Sequence, residues 1–95
     1  MLKPLEELVN IIRDRKNSNP QKSYTNKLLN NKKMNVAKVN EEVKELMEAI
    51  HKNDNQVHEA ADVLYHLLVL LEGSGIEIEG VMQELKKRQN GIQQK

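Results

Sequence analysis
Apolar residues recur along most of this chain at three- and four-residue intervals, the spacing of helices that bury one face. Leu5, Leu8, Val9, Ile11 and Ile12 make the first such face. Pro4 suits the opening turn, where its missing N–H is not needed, and the helix is expected to run to about Lys16. Asn17 to Lys22 is a loop by composition. Ser23 stands where an N-cap belongs, ahead of a short helix through Lys27, Leu28 and Leu29. Asn30-Asn31-Lys32-Lys33 reads as a second break, and a long helix follows from about Asn35 to Lys52. On it Val36, Val39, Val43, Leu46, Met47 and Ile50 form one stripe, with Glu41, Glu42 and Glu45 together away from it. Asn53-Asp54-Asn55 ends that helix and offers an N-cap to the next, which runs to about Glu72 and stops at Gly73-Ser74-Gly75. A last helix opens within residues 76–80, with Ile78, Val81, Met82 and Leu85 inward; Gly91 to Lys95 should fray. No strand pattern and no repeat intervenes. The expected fold is all-α, a single domain over residues 1–95 built as a bundle of four to five helices with short loops.

The fourth of these helices departs from ordinary amphipathicity. From Ala60 to Leu71 it is apolar nearly all the way round, as a helix inside a bundle is, and its polar exceptions Glu59, Asp62 and His66 fall on one narrow line. Acids on a helix that is otherwise buried need a partner, because a desolvated, unpaired carboxylate is very costly. Glu41, Glu42 and Glu45 on the preceding helix repel one another. If the two helices fold back antiparallel, both sets of acids meet, and a hard divalent cation resolves the repulsion and the burial together. Mg²⁺ is such a cation, typically taking part of its octahedron from protein and leaving the rest for water and substrate phosphates.

Composition narrows the setting. With no Phe or Trp and only two Tyr, the core must be aliphatic, and a core of that size in 95 residues favours a homodimer or higher homo-oligomer. The absence of cysteine removes disulfides, thiolate metal sites and cysteine nucleophiles, and fits a cytoplasmic protein. No secretion signal opens the chain and no run is long enough for a membrane span.

Net charge is only +1, but residues 1–40 carry nine Lys/Arg against three acids, and residues 41–85 carry two against eleven. The basic half is suited to a polyphosphate and the acidic half to the metal. Nucleic acid fits worse: aromatic residues for base stacking are missing and the acids repel a phosphate backbone. Candidate phosphate contacts are Arg13, Arg15, Lys16, Lys27 and Lys38, although the first three also suit a helix C-terminus and Lys38 also neutralises the Glu pair one turn on. His66 reads as a packed, hydrogen-bonded histidine rather than a ligand. Gly-rich phosphate loops and Ser/His/Asp groupings are absent.

Glu41-Glu42-x-x-Glu45 followed by Glu59-x-x-Asp62 resembles the signature of the all-α (MazG-like) nucleoside-triphosphate pyrophosphatases. Within that superfamily the chain is similar, nearly end to end, to the phosphoribosyl-ATP pyrophosphatases of histidine biosynthesis. Arg15-Lys16, Pro20, Ser23-Tyr24-Thr25, Lys38-Val39, the run from Glu59 to Leu71 and Gly75-Ile76 carry the likeness. The resemblance implies the MazG-like fold and Mg²⁺-dependent cleavage of the α–β phosphoanhydride of phosphoribosyl-ATP, giving phosphoribosyl-AMP and pyrophosphate. It makes Glu42, Glu45, Glu59 and Asp62 metal ligands. Glu41 would orient or deprotonate the attacking water or hold a second metal, and Ser23, Tyr24 and Thr25 would contact substrate. It also implies a dimer or higher assembly with sites near the subunit interface. The chain departs from the pattern at Asn40, where Gly is usual, at Val43 and at Glu48, and its inter-motif segment is slightly short. The alternatives kept open are a MazG-like housecleaning pyrophosphatase of ordinary or modified nucleotides, and a helical interaction module without activity.

Overall fold
Two long helices form the backbone of the molecule: α3 (Lys32–Lys52) and α4 (Gln56–Gly73) lie against each other as an antiparallel hairpin, the most extensive contact in the fold. The computed structural model describes residues 1–89. Around the hairpin stand α1 (Lys3–Asp14), a 3₁₀ turn at Arg15–Asn17, the short α2 (Tyr24–Leu29) and α5 (Ile78–Arg88). Among the described residues every element is helical, as the periodicity predicts, and no helix is long and apolar enough to cross a membrane. The expected fraying of Gly91 to Lys95 lies outside the described residues.

Local chemistry sets most boundaries. Ser23 caps α2, its Oγ accepting from the Asn26 N–H at 3.1 Å. The long helix starts three residues earlier than its pattern indicates. Asn31, read in sequence as part of a break, caps it by accepting from the Met34 N–H at 3.0 Å, and Lys32 and Lys33 are good helix formers. The α3–α4 turn is made by Asn53 and Asn55, both left-handed at φ 55° and 59°, a conformation asparagine tolerates better than most residues. Asn55 therefore makes no side-chain cap on α4, contrary to expectation. At the far end of α4 a side chain on Gly73 would crowd the Leu29 carbonyl oxygen at 3.3 Å, so the close approach of α2 depends on a missing Cβ.

The core is small and lies to one side. Val9, Ile12, Leu28, Leu68 and Val69 are buried together, with Leu5, Leu8, Leu29, Met34, Tyr65 and Ile78 packed against them. It therefore belongs to α1, α2 and α4, and α3 joins it mainly through its first turn. Expectations about faces need correction on four helices. Val36, Val43, Met47 and Ile50, four of the six residues in the apolar stripe of α3, are exposed while Val39 and Leu46 are half-buried, and the face turned to α4 carries Asn35, Glu42 and Ala49. On α4, Leu64 and Leu67 are also exposed, so this helix is not enclosed within its own chain. On α5, Ile78 and Val81 turn inward, but Met82 and Leu85 do not, and Ile11 of α1 is likewise exposed. The physical reason is common to all: one hairpin and three short helices cannot cover every apolar flank of so small a chain.

Candidate active site
The hairpin brings the two acid motifs face to face. One carboxylate oxygen from each of Glu41, Glu42 and Glu45 lies within 4.8 Å of the others, and one ligand atom from each of His58, Glu59 and Asp62 forms a second group within the same limit. Glu45 joins the groups, since it is among the causes that raise the carboxyls of both Glu42 and Glu59. Burial is the main cause holding the Glu42 carboxyl above its usual range. The charge and contact of Glu45 and the charge of Asp62 add to it, and His66 opposes. Glu59 is raised the same way, first by burial and then by Glu45, with His58 opposing. Glu42 is only 8% exposed and its Oε2 has no hydrogen-bond partner. A buried carboxylate oxygen left bare, inside a ring of like charges, is the arrangement a hard cation relieves, and an all-oxygen set of this kind suits Mg²⁺.

Around this cluster stand the groups that could meet a substrate. Lys38 sits one turn before the Glu pair, with its Nζ 3.6 Å from Glu41 Oε2. Its charge also acts on the Tyr24 hydroxyl, whose pKa is raised chiefly by burial and partly held down by Lys38. His66 Nδ1 donates to the Asp62 carbonyl at 2.8 Å, which leaves Nε2 to accept from the Tyr24 hydroxyl at 3.2 Å; this tautomer is assigned from the partners. His66 thus behaves as the packed, doubly bonded histidine the sequence indicates. Thr25 Oγ1 pairs with the Tyr65 hydroxyl at 2.5 Å. The Ser23-Tyr24-Thr25 element is in this way fastened to the helix that carries Glu59 and Asp62, while Ser23 itself is engaged as a cap.

Other candidates are drawn elsewhere. Arg13 commits its guanidinium to Glu72 Oε1 at 2.8 Å and to both carboxylate oxygens of Glu79 at 2.8 and 2.5 Å. Lys16 Nζ lies 3.2 Å from Glu72 Oε2, and Arg15 pairs with Asp14 at 3.5 Å. Glu72 is ten residues past Asp62, about 15 Å along α4. Arg13 therefore ties α1 to the far end of α4 and to α5, and Lys16 ties the 3₁₀ turn to the same end of α4, rather than facing the acid cluster. Lys27 is exposed at the end of α2 and the structure gives it no partner at the site.

Two residues that position the site or its supports carry no functional reading in the sequence. His58 places Nε2 3.3 Å from Asp62 Oδ2 and 3.8 Å from Glu59 Oε1; its i,i+4 spacing to Asp62 was the available signal. Asn26, 2% exposed, donates to the Arg15 carbonyl at 2.7 Å and closes the 3₁₀ turn; nothing local in the sequence marks it.

Comparison with known proteins supplies the family. A family model described as "Phosphoribosyl-ATP pyrophosphohydrolase" matches residues 5–89. A phosphoribosyl-ATP pyrophosphatase of Halobacterium salinarum is 42% identical over 94 residues, covering 93% of this chain and 99% of that one. Another from Methylobacterium nodulans is 45% identical over 96 residues, covering 96% and 90%. The "Histidine biosynthesis bifunctional protein HisIE" of Thermotoga maritima is 42% identical over 85 residues, 86% of this chain and 43% of that protein. With a match over nearly its whole length and a helical hairpin carrying both acid motifs, the chain belongs to the phosphoribosyl-ATP pyrophosphohydrolase family, hydrolases that act on a phosphoanhydride bond in histidine biosynthesis.

Proposed function
We propose that the protein hydrolyses the α–β phosphoanhydride of phosphoribosyl-ATP in a Mg²⁺-dependent reaction, giving phosphoribosyl-AMP and pyrophosphate. The observation that carries this reading is the bare, buried Oε2 of Glu42 beside the carboxylates of Glu45 and Asp62, both of which also act on Glu59. These four side chains would hold the ion. When bound, it spreads negative charge off the phosphates and lowers the pKa of a bound water. Glu41, exposed at the edge of the cluster and outside the four ligands, is the carboxylate left to orient the attacking water and accept its proton, with Lys38 beside it. Lys38 is the cation best placed for the departing pyrophosphate, and Tyr24 for the nucleotide beside it.

The exposed apolar flank of the hairpin supports a homodimer or higher homo-oligomer. At about 100° per residue, Val36, Val43, Met47 and Ile50 fall on the side of the α3–α4 seam away from Lys38, Glu41 and Glu45, so a second copy can cover them without blocking the acids. The test is release of pyrophosphate from phosphoribosyl-ATP with and without Mg²⁺. Glu42→Gln and Asp62→Asn should each remove the activity. A preference for ordinary or modified nucleoside triphosphates in the same assay would favour the MazG-like housecleaning reading instead.

A further inference from the structure
We infer that Asn35 is a positioning residue whose amide sets the register between α3 and α4, and so decides whether the acids of the two helices meet. The inference rests on the metal reading above. The face that α3 turns to α4 repeats every seven residues as Asn35, Glu42 and Ala49, with Lys38, Val39, Glu45 and Leu46 half-buried beside it. Interlocking apolar side chains normally fix how two helices slide past each other. This seam has few of them, and its carboxylates push the helices apart.

Asn35 supplies what the seam lacks. It is 1% exposed, and its amide, oriented to satisfy both ends, donates from Nδ2 to the His66 carbonyl at 3.3 Å and accepts at Oδ1 from the Leu70 N–H at 3.0 Å. His66 O and Leu70 N are the two ends of one turn of α4, so the side chain grips the helix at a single level. Seven residues further along α3 and, because the helices are antiparallel, seven back along α4, Glu42 comes opposite the Ala61–Asp62 step. Glu45 comes opposite His58–Glu59 by the same count. A slide of one turn, about 5.4 Å, would separate these pairs while leaving every helix intact. A buried polar side chain that selects one register at some cost in stability is a known device between paired helices.

The test compares wild type with Asn35→Leu, similar in size but unable to bond α4, and with Met34→Ala, which weakens packing at the neighbouring position. Each is assayed for Mn²⁺ binding by electron paramagnetic resonance, for Mg²⁺ binding by calorimetry, and for helix content. Asn35→Leu should stay helical and lose at least about tenfold in affinity for both ions, the scale seen when groups supporting a metal site are removed. Met34→Ala should lose melting temperature and keep its affinity. Should Leu prevent folding, Asn35→Ala is read by the same criterion. In the wild type, the Asn35 side-chain amide protons should exchange slowly with solvent. Fast exchange, or a folded Asn35 variant that binds metal as tightly as wild type, would overturn the inference. A wild-type protein that binds neither ion would instead overturn the metal reading, and this inference with it.

Discussion

Glu42 concentrates the chemistry of this molecule in one side chain. It is buried without a partner for Oε2, and burial together with Glu45 and Asp62 holds its carboxyl above the ordinary range. The sign of its effect on stability follows. A carboxyl that binds its proton more tightly folded than unfolded favours folding at low pH, and the metal-free protein loses that advantage as pH rises through the raised value. Glu42→Gln should therefore stabilise the metal-free protein at neutral pH by about 1 kcal/mol, the scale of relieving one unsatisfied buried group. The difference should vanish below the ordinary carboxylate range, and melting curves in chelator across pH check both points. With Mg²⁺ added, the order should reverse: wild type gains melting temperature by binding and Glu42→Gln does not. A wild type indifferent to Mg²⁺ would remove the physical reason for the cluster. The acid spacing was legible in the sequence because Glu41 and Glu42 stand four and three residues before Glu45, which on one helix leaves little choice of geometry. The engagement of Arg13 was not, because Glu72 and Glu79 lie 59 and 66 residues away.

At the scale of elements, caps and stops read well and faces read poorly. Ser23 and the Gly73-Ser74-Gly75 stop act through groups next to them in the chain, so local chemistry identifies them. Asn31 was hidden by its neighbours: two asparagines and two lysines look like a break until one amide is seen accepting from Met34. The inward face of α3 was misread for a different reason. Periodicity says that Val36, Val43, Met47 and Ile50 share a side, but not whether that side is covered by this chain or by another. Helix α5 depends on contacts of the same long-range kind, since none of its residues is buried and Arg13 holds it at Glu79. That hydrogen bond keeps the Glu79 carboxyl down at about 2. A depressed carboxyl stabilises the fold above its unfolded pKa, and the contribution is lost as pH falls from about 4.5 toward about 2. Hydrogen exchange should show α5 less protected in Glu79→Gln than in wild type at neutral pH. The gap should close across that acid window; a constant gap would mean that the pair does not hold the helix.

At the scale of the whole molecule, the hairpin has two flanks with different fates. One carries the acids, Lys38 and Tyr24; the other is apolar and exposed in a single chain. The aliphatic core, centred on α1, α2 and α4, is small for independent stability, which makes the second flank the natural place for a further copy. Met47→Glu should shift the protein toward monomer in sedimentation and lower its melting temperature, whereas a wild type that sediments as a monomer would leave this flank unexplained. Family membership and the all-α architecture were both legible in the sequence, because they rest on motifs and periodicity spread over the whole chain. The relation of the acid flank to its metal and substrate is a matter of chemistry that one assay addresses most directly. Pyrophosphate release from phosphoribosyl-ATP is followed as Mg²⁺ is titrated, in wild type and in Glu42→Gln. The expected result is a saturable rise with Mg²⁺ in wild type and a loss of at least about a hundredfold in the variant, the scale of removing one preorganised electrostatic group. Activity that persists in chelator, or survives intact in Glu42→Gln, would contradict it.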